Sequence, residues 1–242
     1  MSTETLFLFQ CSKVLMADNS QFYNMITVKT FVCNPFKENT YILYDETGEC
    51  VIVDAGVYGS EEQEDMDNFI AALNLKPVKL INTHGHLDHI SGVEYLGKKY
   101  GVELYIHADE VENINRSAAM GSAFGFVIEK PTCKVNFISD GDDISFGKSL
   151  LKVIGLPGHT KGGVGFYNDE QKIIMVGDTL FNGSIGRTDL PGGDYEEIIR
   201  SIIKKVLPLG DEVRYYSGHG ESSTLGQERR YNPFVNEHPF EL

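Results

Sequence analysis

No uncharged apolar run in this chain approaches the roughly 20 residues that span a bilayer, and the opening MSTETLFLFQ has neither a basic n-region nor a long apolar h-region. A soluble, unexported, cytoplasmic protein is expected. The four cysteines, Cys11, Cys33, Cys50 and Cys133, are scattered and form no CxxC pair. That argues against a thiolate zinc site or a disulfide framework and for ordinary reduced thiols. Basic residues are scarce: 21 Lys and Arg against 35 Asp and Glu give a formal charge of −14. A surface of that sign repels nucleic acid and anionic membranes, which leaves small molecules as the expected ligands. LPGHTKGG is Gly-rich but lacks the strand–GxxxxGK[ST]–helix arrangement of a phosphate-binding loop, and no GxSxG nucleophile elbow occurs. No repeat, charge block or low-complexity stretch divides the chain.

What is present suits one mixed α/β unit. A chain of 242 residues, 41% apolar and 11% aromatic, can bury one sizeable core, so a single domain over residues 1–242 is expected. Ile26 to Val32, Asn39 to Tyr44 and Cys50 to Asp54 read as an antiparallel meander, with turns at Asn34-Pro35 and Thr47-Gly48. Ser60 and Gln63 form a capping-box pattern ahead of Met66, Phe69, Ile70 and Leu73 at helical spacing. A second helix is expected over about His89 to Tyr100, and a third after Asp109. The last begins at a capping Asp194 and is stopped by Pro208 and Gly210. Further strands are read near Lys134 to Ile138, Leu150 to Gly155, Val164 to Tyr167, Ile173 to Val176 and Glu212 to Tyr216. Two groups of strands with helices imply two sheets packed face to face with helices outside.

Polar residues collect where strands end. VIVDAG finishes at Asp54, VKLINTHGHLDH at His84 to His89, LLKVIGLPGHT at His159, KIIMVGDT at Asp178 and EVRYYSGHG at His219. Rigid strands hand such side chains to loops that can form a site. Imidazole and carboxylate are ligands for a borderline divalent ion such as Zn²⁺. His84, His86, Asp88, His89, His159, Asp178 and His219 are more than one tetrahedral ion can use, so two metals sharing a bridge are inferred, about 3.5–4 Å apart with room for water. Taken singly, His159 and His219 read equally well as loop histidines and Asp178 as a turn residue. The strand-end placement of all of them decides for a metal site. Asp54 is read as orienting a ligating histidine or capping a turn. His107 and His238 are assigned structural or surface roles.

THGHLDH, GHT, GD and GHG, in this order, resemble the metallo-β-lactamase superfamily over nearly the whole chain, which implies a four-layer αββα sandwich. Within it, GDTLFNGSIGRTDLPGGD (Gly177 to Asp194) and GHGESSTLGQERRYNPF (Gly218 to Phe234) resemble small glyoxalase II-like, hydroxyacylglutathione hydrolase-like enzymes. The resemblance implies two divalent ions, zinc foremost with iron or manganese as alternatives. His84, His86 and His159 would hold one, Asp88, His89 and His219 the other, and Asp178 would bridge. A metal-bridging hydroxide would attack the carbonyl of a small thioester, with Asp88 helping to orient it. The thiolate would leave with little need of a proton, since a thiol has a pKa of roughly 8.5.

Departures from that pattern are expected to matter. No separate C-terminal helical substrate domain follows NPF, and Asp189 stands where a tyrosine is usual. Arg187, in place of the family's basic loop residue, either contacts a substrate carboxylate or pairs with a neighbouring acid. GRTD also resembles persulfide dioxygenases, whose single iron would here use His86 or His84, His159 and Asp178. A non-catalytic metal-binding scaffold is the third reading, against which no ligand is missing.

Overall fold

Strands that are apolar along nearly their whole length, such as CVIV at Cys50 to Val53 and IIMV at Ile173 to Val176, need cover on both faces. In the computed structural model of the chain, which describes residues 25–123 and 125–236, two sheets and their helices supply it in four layers. The first sheet has β1 (Thr27–Cys33), β2 (Glu38–Tyr44), β3 (Glu49–Val53), β4 (Lys76–Ile81), β5 (Leu104–His107) and β6 (Val135–Ile138), side by side in that order. The second takes β7 (Asp143–Phe146), β8 (Ser149–Gly155), β9 (Val164–Asn168) and β10 (Ile173–Gly177). After a small ribbon of β11 (Leu180–Phe181) and β12 (Ser184–Ile185), it is completed by β13 (Arg214–Ser217) and β14 (Ser223–Thr224). Its spatial order is β14-β13-β10-β9-β8-β7.

Three apolar clusters mark the three interfaces between layers. Tyr41, Leu43, Val51, Val53 and Ile81 of the first sheet meet Val153, Val164, Phe166 and Met175 of the second. Their chain neighbours Ile42, Ile52 and Leu80 point the other way, onto Met66, Ile70, Ile90 and Leu96. These last come from helices α1 (Gly59–Ala72), α2 (Leu87–Ile90) and α3 (Val93–Tyr100), beside which α4 (Val111–Ala123) contributes Ile114. On the far side, Tyr167, Ile174 and Val176 pack on Ile198, Ile199, Ile202 and Val206 of α5 (Tyr195–Ser201) and its continuation. Leu225 of α6 (Leu225–Tyr231) and Val235 of α7 (Pro233–Asn236) close that layer. Apolar side chains on both faces of each sheet thus build the αββα sandwich.

Strand direction places the site. β3, β4, β5 and β6 run parallel, and in the second sheet β8, β10 and β13 share one direction because β9 between them is antiparallel to its neighbours. The carboxyl ends of β4, β8, β10 and β13 therefore open on one edge of the sandwich. There the sheets are joined by a Val164 N–H bond to Thr83 O at 2.9 Å and an Asn39 N–H bond to Gly218 O at 2.7 Å.

Several local expectations need correction. Ser60 does not cap α1: the helix starts at Gly59, and Glu62 reaches back to accept from Tyr58 N at 2.7 Å, taking over the role of a cap. The second helix is two, because Gly92 is pressed against Val57 and Ala55, its N–H bonding Ala55 O at 2.7 Å, which bends the chain between Ile90 and Val93. α5 begins as expected, Asp194 accepting from Glu197 N at 3.0 Å, but then unwinds into a π turn over Ile202–Val206. β7 and α6 are additions to the sequence reading. Cys33 and Cys50 are buried free thiols, each pushed up to about 12 by burial, so neither is a nucleophile. Cys11 and His238 lie outside the described residues. No helix among the described residues is long and apolar enough to cross a membrane.

Candidate metal centre

Each polar cluster leaves its strand at the same edge. After β4, Asn82 and Thr83 lead to His84. Gly85 turns the chain, His86 precedes α2, and Asp88 and His89 ride on that helix. His159 follows β8, Asp178 comes directly after β10, and His219 lies two residues beyond β13. All seven candidates converge. Ligating atoms of His84, His86 and His159 lie within 4.8 Å of one another, as do those of Asp88, His89 and His219. Asp178 stands between the two sets, with Oδ1 3.3 Å from His89 Nε2 and Oδ2 3.6 Å from His159 Nε2 and 3.5 Å from His219 Nε2.

The outer nitrogens show how the rings are held. Nδ1 of His159 is 2.8 Å from Arg187 O and Nδ1 of His219 is 3.2 Å from Phe36 O. A carbonyl only accepts, so both Nδ1 atoms carry hydrogens and both Nε2 atoms are left facing inward. His84 Nδ1 lies 3.0 Å from the Thr83 hydroxyl, and His89 Nδ1 is 3.1 Å from Asp54 Oδ2. His86 is turned the other way, its Nδ1 meeting His159 Nε2 at 2.9 Å. Inside the cluster His84 Nε2, His89 Nε2 and Asp178 Oδ1 are buried without a hydrogen-bond partner. Orphaned buried polar atoms are costly, and several aimed at a common space fit divalent cations.

Proton equilibria report the same field. Burial, with the neighbouring imidazoles, pushes His84 well down, and burial with His159 takes His86 down to about 4, so these two rings stay neutral and ligand-competent. For His89 burial works the same way, but Asp178, Asp88 and Asp54 outweigh it and push the ring up. Burial would raise Asp178, yet His89, His159 and His219 hold its carboxyl far below the usual range. The centre sets carboxylates that favour positive charge beside His89 and His219, which they push up, and beside His84 and His86, which resist protonation.

Supporting residues surround it. Asp54, at φ 51° on the end of β3, accepts from Thr83 N and from the Thr83 hydroxyl, each at 2.7 Å, and lies in one group with His84 and His89, its Oδ2 3.1 Å from His89 Nδ1. Asn39 holds the His219 loop, donating to Ser217 O at 3.0 Å and Gly220 O at 2.8 Å. Glu38 is fully buried with Oε1 3.9 Å from His89 Nδ1 and Oε2 accepting from Thr40 at 2.8 Å, and burial pushes its carboxyl well up. Neither Glu38 nor Asn39 stands out in the sequence, where a polar pair opening a strand looks solvated. His107 stays outside the cluster, accepting from Asp109 N at 3.2 Å.

A cavity of about 270 Å³ opens on the cluster, walled by Phe36, Leu87, Met120 and Leu190 with Arg187 at its rim. Arg187 is exposed and paired twice with Asp189, at 2.7 and 2.8 Å. A larger hollow of about 540 Å³ between α1 and α3 shares none of these residues.

Two packed sheets with a convergent His and Asp centre at one edge define a class, and the chain belongs to the metallo-β-lactamase superfamily, whose family model matches residues 33–219. It is 36% identical over 203 residues, covering 83% of this chain and 94% of the relative, to the hydroxyacylglutathione hydrolase GloC of Haemophilus influenzae. Among solved structures it is similar to TTHA1623 in a di-iron-bound form, with TM-score 0.77, 34% identity and coverage of 86% and 100%. It is also similar to the BLEG-1 B3 metallo-β-lactamase, with TM-score 0.79, 31% identity and coverage of 86% and 99%.

Proposed function

We propose that the protein is a binuclear metal-dependent thioesterase acting on small thioesters of the hydroxyacylglutathione kind. His84, His86 and His159 would hold one ion, Asp88, His89 and His219 the second, and Asp178 would serve both. Bound divalent ions supply a nucleophilic oxygen at neutral pH and polarise the substrate carbonyl. Zinc suits the nitrogen-rich donor set, and the di-iron relative keeps iron open as an alternative.

The chain's own residues do the rest. Asp88, whose Oδ2 lies 3.3 Å from His219 Nε2, lines the cavity and would orient the attacking water by accepting a hydrogen bond from it. Burial would raise Asp88, but His89 and His219 keep it ionised for that task. Phe36, Leu87, Met120 and Leu190 shed water around the acyl arm.

The observation that carries the choice of thioester is the lining of that cavity. Among the described residues that line it, Arg187 is the one titratable side chain besides His86, Asp88, His159, Asp178 and His219, and it does not release a proton. Such a lining suits a leaving group that can depart unprotonated, as a thiolate does more readily than an amine. Purified protein assayed for S-lactoylglutathione hydrolysis and for oxygen uptake with glutathione persulfide tests the reading. Thioester turnover that a chelator abolishes supports it. Oxygen uptake with about one iron per chain and no hydrolysis would replace it with the mononuclear dioxygenase chemistry of a facial-triad site.

A further inference from the structure

One buried carboxylate outside the centre touches both loops that carry the three-histidine set. Glu110 ends the short turn Ala108–Glu110 after β5 and is fully buried. Its Oε2 accepts at 2.8 Å from the backbone N–H of Gly85, the residue between His84 and His86, and at 2.8 Å from Asn113 Nδ2. Its Oε1 accepts at 2.8 Å from the backbone N–H of Gly162, three residues past His159. The first loop leaves one sheet and the second leaves the other, so a single side chain ties the two halves of the sandwich where the histidines meet.

The contact is close on both sides. A Cβ at Gly85 would sit 3.0 Å from Glu110 O and 3.3 Å from Glu110 Cβ, and one at Gly162 would sit 2.9 Å from Glu110 Oε1. Burying a carboxylate costs several kcal/mol unless it is well hydrogen-bonded. Three N–H donors offset that cost here, and charge-assisted bonds are stiffer than neutral ones. Fastening either loop alone would need one acceptor. Using both oxygens, one on each loop, fixes the separation of His84 and His86 from His159.

We propose that Glu110 is a positioning residue for the three-histidine set: by clamping Gly85 and Gly162 it sets the geometry, and hence the affinity, of the metal held by His84, His86 and His159. This rests on the metal-centre reading above. The set of Asp88, His89 and His219 has no bond to Glu110 and keeps its affinity without it.

The test is Co²⁺ titration of metal-stripped wild type, Glu110→Ala, Glu110→Gln and Glu94→Gln, read by visible absorption and competition with a chromophoric chelator. Glu94 is a matched control, since it is also buried and holds the backbone N–H and hydroxyl of Thr132 but no histidine loop. In Glu110→Ala one Co²⁺ should bind about 10- to 100-fold more weakly, the range seen when outer supports of ligands are removed, with the other little changed. Glu110→Gln keeps one carbonyl oxygen and turns an NH₂ toward the second glycine, so it should fall between, and it carries the test should Glu110→Ala fail to fold. Glu94→Gln should match wild type. Wild-type affinity at both sites in the Glu110 variants would overturn the proposal, as would an equal loss in Glu94→Gln. Wild type that binds no Co²⁺ would refute the metal centre itself.

Discussion

The two glycines flanking His219 are glycine for different reasons, and exchanging each for alanine probes how tightly the centre is packed. A Cβ at Gly218 would lie 2.0 Å from Asp178 Oδ1 and 2.6 Å from His89 Cε1, where ordinary contact begins at 3.4 Å. Asp178 has nowhere near to go, since its Oδ1 already lies 3.3 Å from His89 Nε2. Gly218→Ala must displace the carboxylate by about 1 Å, and overpacking of this kind costs roughly 1–3 kcal/mol. That corresponds to a fall in Tm of about 2–12 °C for a chain of this size. A misplacement of about 1 Å at a reacting centre costs on the order of 100-fold in turnover. Gly220, by contrast, has φ +73° with nothing within 4 Å of a built Cβ. Gly220→Ala pays only for left-handed backbone, about 1–2 kcal/mol, and should leave metal content and kcat/KM close to wild type. Metal analysis, thermal melting and thioester assays on the pair decide the matter. Full activity and metal content in Gly218→Ala would refute the packing argument.

Three further outcomes follow from the structure. Phe166→Ala removes a fully buried ring between the sheets and should cost about 3–5 kcal/mol in denaturant unfolding without changing the metal count. Asp45 is buried, which would raise its carboxyl, but bonds from Thr47, Lys148 and Ser149 hold it below the usual range. Its stabilisation is complete above the unfolded value near ~3.9 and is lost as pH falls through the lower folded value, so Asp45→Asn should be less stable at pH 7 by about 2 kcal/mol and show a flatter acid limb. A substrate carboxylate must compete with Asp189 for exposed Arg187, so Arg187→Ala should raise KM for a glutathione thioester by less than about tenfold, and Asp189→Asn should lower it.

How much of this was legible in the sequence depends on whether the partners lie close in the chain. His84, His86, Asp88 and His89 fall within six positions, and the strands before the other ligands announce themselves by apolar runs, so the centre could be assembled without coordinates. The two packed sheets with helices outside follow from two groups of strands with helices, and the unbroken apolar runs of β3 and β10 fit cover on both faces. Features set by distant contacts were hidden. The break at Gly92 exists because Val57 and Ala55 press on it, the start of α1 because Glu62 reaches back to Tyr58, and the burial of Glu38 because a missing Cβ at Gly56 leaves room for its Oε2. β7 was too short to read alone and is defined by its pairing with β8. Arg187 was open to two readings: it pairs with Asp189 and also lines the cavity on the cluster, so the ion pair leaves a substrate contact open.

The central claim is that seven side chains hold two metal ions in two sets joined by Asp178. Metal content per chain, measured on wild type, His86→Ala and His219→Ala after equilibration with Zn²⁺ and gel filtration, tests it most directly. The account predicts about two ions for wild type and about one for each variant, with thioester turnover lost in both. The same metal content in all three proteins would contradict it.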